Sequence, residues 1–91
     1  MSVPRRWRQG TEVAARRVDD RVVLVNLQTN HIYALNSTGS RLWELLDVAR
    51  SRDELVAELL AEFEIERAAL ERETDSLLAD LEKASLVTGE N

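Results

Sequence analysis

Apolar and polar residues change rhythm twice along this chain, and the changes mark its elements. Residues 21–27 (RVVLVNL) are rich in β-branched side chains and predict a strand. Gln28, Thr29 and Asn30 follow as a three-residue loop, with Asn30 suited to a left-handed closing position. Residues 31–35 (HIYAL) return as a second strand. A loop of that length pairs Leu27 with His31, Val25 with Tyr33 and Val23 with Leu35, and alternation then puts this bulkier set on the core face. Leu24, Asn26, Ile32 and Ala34 are expected on the opposite face. Upstream, residues 11–18 (TEVAARRV) predict a short strand that turns at Asp19 and Asp20.

Beyond residue 35 the period lengthens. Asn36 or Ser37 caps a helix whose apolar positions are Leu42, Trp43, Leu45, Leu46 and Ala49; Trp43 is expected in the core. Ser51, Arg52, Asp53 and Glu54 form a capping-box pattern opening a second helix with Leu55, Val56, Leu59, Leu60 and Phe63 at helical spacing. A third helix follows residues 63–65 and runs to about Ala84, with the stripe Leu70, Thr74, Leu77, Leu78 and Leu81. Residues 85–87 are expected to pack back on the domain. The pattern predicts an α+β fold of winged-helix-like type, a three-stranded antiparallel sheet followed by three helices. Residues 1–10, with Pro4, Gly10 and three arginines, read as a flexible basic arm. The domain is expected over 11–87, and 88–91 as a tail.

Composition narrows the chemistry. The 91 residues include no cysteine, which excludes disulfides and thiolate metal sites. No apolar run approaches the ~18 residues of a membrane span, and the basic N-terminus is not followed by the apolar stretch of a signal peptide; the chain reads as cytoplasmic. His31 is the single histidine and has no second soft ligand to share a metal with. Ser37, Thr38 and Ser40 sit where hydroxyls cap a helix, and no nucleophile or phosphate-cradling motif surrounds them. The sequence predicts a non-enzyme with no cofactor and no metal.

Charge separates two binding readings. Residues 1–52 hold nine Arg against five Asp/Glu, whereas residues 53–91 hold three Lys/Arg against twelve Asp/Glu. The alternative reading is a winged-helix DNA-binding regulator or structural module, with the third helix in the groove of a duplex. Residues 66–83, however, carry six acids against three bases, a field that repels phosphate; no nucleic acid and no membrane partner is expected. Peptide binding fits the sheet better. Strand 31–35 carries neither the charge nor the proline that usually blunts an open edge. Either strand 11–18 or the third helix covers that edge, or edge and helix together form a groove for an extended peptide. In that groove His31, Ile32, Tyr33 and Ala34 would supply strand pairing. Leu70, Thr74, Leu77 and Leu78 would wall apolar pockets, and Glu73, on a flank of the helix stripe, would meet a basic residue.

The string LNSTGSRLWELLD at residues 35–47, with the strand 22–29, Tyr33, the DEL at 53–55 and the LLADL at 77–81, resembles the PqqD-like family, the recognition elements for ribosomally made precursor peptides. The resemblance spans about residues 11–87. It implies a leader peptide added as a strand against the third strand, beside the third helix. A stand-alone chain of this size is most similar to the lasso-peptide B1 proteins. That likeness implies a non-catalytic adaptor that delivers the precursor to a leader protease and a macrocyclase. The sequence departs from the family where Asp47 is followed by Val48 rather than glycine. It departs again where 27–30 (LQTN) replaces the Pro-Glu turn of true PqqD proteins, which sets it apart from pyrroloquinoline quinone synthesis.

Overall fold

The computed structural model of the chain describes residues 4–90. The elements are β1 (Arg6–Gln9), β2 (Val13–Val18), β3 (Arg21–Asn26), β4 (Ile32–Ala34), α1 (Ser37–Leu45), β5 (Arg50–Ser51), α2 (Arg52–Glu62), α3 (Arg67–Lys83) and β6 (Val87–Glu90). The class is α+β, with antiparallel sheets and three helices, as the periodicity predicts. Winged-helix-like is a loose description, because the molecule has two sheets: β2-β3-β4 and β5-β1-β6.

Local chemistry sets the helix starts. The Asn36 side chain accepts from the Gly39 amide at 2.8 Å and caps α1. At α2 the capping box is complete: Ser51 Oγ accepts from the Glu54 amide at 3.2 Å, and Glu54 Oε1 accepts from the Ser51 amide at 2.8 Å. The helices pack on the inward face of the β3–β4 hairpin, whereas β2 is exposed along its length beyond Val13. The core joins Val22, Leu24 and Leu35 of the hairpin to Leu42, Trp43 and Leu46 of the α1 segment, Leu55 and Leu59 of α2, and Leu70, Leu78 and Leu81 of α3. Leu86 and Val87 close it, as expected.

The hairpin register differs by one residue from the expectation. The structure pairs Val23 with Ala34, Leu24 with Tyr33 and Val25 with Ile32 across a four-residue loop, 27–30. Asn30 does take the left-handed position, at φ 63°. The inward set of β3 is therefore Val22, Leu24 and Asn26, while Leu27 is 55% exposed. Tyr33 and Leu35 keep their inward placement. The reason is Asn26: its Oδ1 accepts from the Gln28 and Thr29 amides at 2.9 and 3.2 Å, and its Nδ2 donates to the Ala84 carbonyl at 2.9 Å. A polar side chain so fully bonded is stable in the interior.

The expected basic arm and tail also differ where they are described; residues 1–3 and 91 of those segments lie outside the described residues. Residues Arg6–Gln9 form the central strand of the second sheet, between β5 and β6, and Val87–Glu90 form its edge. The Gln9 and Gly10 amides donate to Leu46 and Leu86 carbonyls at 3.0 and 2.9 Å. Arg5 pairs with Glu82 and lies 5.3 Å over the Trp7 ring, and Arg6 pairs with Glu54 at 3.0 Å. Trp7 packs against the core.

Candidate functional site

Backbone alternation along β4 determines what its outer side presents. The Asn26 amide donates to the His31 carbonyl and the Leu35 amide to the Val22 carbonyl, both at 2.9 Å. Antiparallel pairing then turns the N–H and C=O of residues 31, 33 and 35 toward β3, and those of Ile32 and Ala34 away from it. Among the described residues β4 pairs with no strand except β3. Ile32 and Ala34 therefore line an open edge, and Ile32 is 66% exposed.

α3 lies alongside this edge and runs opposite to it. Three contacts pin the β3–β4 hairpin and the Asn36 cap that follows it to α3 and its C-terminal cap. Asn36 Nδ2 donates to Glu73 Oε1 at 3.4 Å, the Tyr33 hydroxyl to Asp80 Oδ2 at 3.4 Å, and Asn26 to Ala84. The space left between them holds two adjoining clefts. One, of about 350 Å³, is lined by residues including Leu35, Asn36, Glu73, Ser76 and Leu77. The other, of about 580 Å³, is lined by residues including Thr29, His31, Lys83, Ala84 and Ser85. Tyr33 and Asp80 line both. Partial burial, and then the neighbouring Asp80 carboxylate, raise the Tyr33 phenol above its ordinary pKa, so it stays a neutral donor.

Of the residues expected at a binding groove, the structure brings His31, Tyr33, Ala34, Glu73 and Leu77 to it, and Ile32 contributes edge backbone. Leu70, Thr74 and Leu78 are 0, 1 and 3% exposed and lie in the core rather than on the groove wall. Leu70 and Thr74 face Leu42 and Leu59 of the other two helices. A 17-residue helix wedged between two other helices and a sheet needs its most apolar line for the core. The groove takes the adjacent line: Glu73, Leu77, Asp80 and Ala84, at spacings of four, three and four. Ser76, Asp80 and Lys83 were not expected at the site. Following the helical period one line beyond the apolar stripe would have found them.

Among the described residues no group of three or more His, Asp or Glu is placed to hold a metal ion, and no helix is long and apolar enough to cross a membrane. What the site offers is backbone pairing groups, two pockets and charged groups that have no ion-pair partner among the described residues.

The profile of the family described as coenzyme PQQ synthesis protein D (PqqD) matches residues 21–87. The fold is similar to that of TbiB1, solved in complex with the TbiA(β) leader peptide, at 32% identity. That match covers 88% of this chain and 93% of that one, with a TM-score of 0.78. It is also similar in fold to a lasso peptide synthetase B1 complexed with the leader peptide, at 23% identity, covering 90% of this chain and 96% of that one, with a TM-score of 0.76. No curated protein matches.

Proposed function

This chain belongs to the PqqD family, and from that premise we propose that it is a non-catalytic adaptor that binds the leader of a ribosomally made precursor peptide. The leader adds as a strand to the open edge of β4, its backbone meeting Ile32 and Ala34, and its inward side chains enter the clefts beside α3. The observation that carries this reading is the pairing of an open, uncharged strand edge with a helix-walled groove. The precursor class is the lasso type, a reading supported by the similar fold of the lasso peptide synthetase B1 complexed with its leader peptide. The adaptor then delivers the bound precursor to a leader protease and a macrocyclase in the cytoplasm.

Duplex DNA is disfavoured as a partner by two features. α3 carries the acids Glu71, Glu73, Asp75, Asp80 and Glu82, and Arg5 and Arg6 are engaged by Glu82 and Glu54. The test is a fluorescence-anisotropy titration at physiological salt with labelled TbiA(β) leader, with labelled leaders of precursors encoded beside this chain, and with a duplex DNA pool. Saturable leader binding is expected. Tight DNA binding with no response to any leader would overturn the reading.

A further inference from the structure

Resting on that reading, we propose that the groove is two seats of different chemistry, and that it selects a leader carrying Lys or Arg two residues before an apolar residue. The Tyr33 side chain reaches from β4 to Asp80 on α3, 3.4 Å away, and stands as a septum between the two clefts. The clefts therefore fall one pleat apart along β4. An added strand presents alternate side chains to the helix at ~6.8 Å intervals, so positions i and i+2 enter neighbouring seats.

The seat toward the start of α1 is anionic, lined by Glu73, Leu77 and the Asp80 that it shares with its neighbour. Ion pairing shows that these two acids differ from their neighbours. Glu71 and Asp75 pair with Arg52, and Glu82 pairs with Arg5. Glu73 and Asp80 have no cationic partner among the described residues; each holds only a long neutral hydrogen bond, from Asn36 and Tyr33. Two partnerless carboxylates at the wall of a groove that takes a peptide favour a cation from that peptide. The other seat shares Asp80 but exposes mainly apolar surface, and Lys83 in its lining offsets that carboxylate and disfavours a second cation.

Strand polarity orders the seats. Every pairing in this sheet is antiparallel, and antiparallel addition is the more stable per residue. β4 runs from the His31 seat to the Asn36 seat. An antiparallel leader therefore meets the anionic seat first, and its sequence from N- to C-terminus reads basic, any residue, apolar.

The test is selection of a phage-displayed random dodecapeptide library on the immobilised chain, followed by titration of synthetic winners. Wild-type protein is expected to enrich Lys/Arg-x-apolar peptides, and exchanging the two residues in a winner should weaken it about fivefold at low salt. The E73K/D80K variant, checked by thermal melt, should enrich Asp or Glu at the first position instead. Winners that bind the groove with no charge preference, or with the order reversed, would overturn the two-seat inference and leave leader binding standing. If no peptide is enriched while the chain is folded, the proposed function itself fails, and the two-seat reading with it.

Discussion

The side-chain amide of Asn26 donates to the carbonyl oxygen of Ala84 across 2.9 Å, joining residues 58 apart in sequence. This bond fastens the hairpin tip to the end of α3 and so fixes the width of the groove at its His31 end. Asn26→Ala removes it together with the two amide caps at Gln28 and Thr29. A loss of about 1–3 kcal/mol is expected, since the Ala84 carbonyl loses its side-chain donor. Urea unfolding of wild type and variant measures it, and an unchanged midpoint would show that the bond adds nothing.

The N-terminal strand gives a prediction without mutation. The Gln9 and Gly10 amides are bonded to Leu46 and Leu86. In native-state hydrogen exchange both are expected among the protected amides, together with those of the core helices. Exchange at unfolded-chain rates would mean that this segment is an arm after all.

Trp43 is 5% exposed within the core, as its helical spacing with Leu42 and Leu46 predicts. Trp43→Ala should cost about 3–5 kcal/mol, a large share of a small domain's stability. Circular-dichroism melts are the measurement. A cooperatively folded variant that lost only its peptide would place Trp43 at the ligand instead.

Within the groove, the apolar wall should outweigh the exposed charge. Leu77→Ala is expected to weaken leader binding by about 2 kcal/mol, and Glu73→Ala by ~0.2–1 kcal/mol. Only the second effect should shrink as salt is added. Anisotropy titrations at two ionic strengths, with a thermal melt of each variant, separate affinity from folding. Leu77→Ala binding like wild type would remove this residue from the wall.

Acid should destabilise the chain partly through two surface carboxyls. The Ser37 hydroxyl lowers the Asp20 pKa, and the Ser51 amide lowers that of Glu54. A carboxyl with a lowered folded-state pKa adds stability in full above its unfolded value, ~3.9 for Asp and ~4.3 for Glu. That stability is lost as pH falls through the lowered value. The D20N/E54Q variant should therefore lose less stability than wild type between about pH 5 and pH 3. Parallel denaturation curves at each pH would show that neither carboxyl contributes.

Much of what depends on neighbours within a turn or two was legible in the sequence, although the caps of Asn26 on the Gln28 and Thr29 amides were not. Asn36 caps α1 and Ser51 boxes with Glu54 because those bonds reach only three residues. The β-branched run 21–26 forms a strand, and Asn30 closes the loop with the backbone it favours. The uncharged edge strand and the late helix pointed to a groove between them, and the structure has one. What the sequence could not supply came from partners far along the chain. Asn26 is polar and reads as outward; the Ala84 carbonyl draws it inward, shifts the hairpin register by one and turns Leu27 out. Residues 6–9 have no strand signature, and they become one because β5 and β6 offer backbone on both sides. The stripe on α3 marked an apolar face but not how three packed helices would divide it. Packing took Leu70, Thr74 and Leu78 for the core and left Glu73, Leu77 and Asp80 to face the groove. Short-range hydrogen bonds are written in adjacent residues, whereas burial is decided by which surfaces meet, and only the tertiary structure brings those surfaces together.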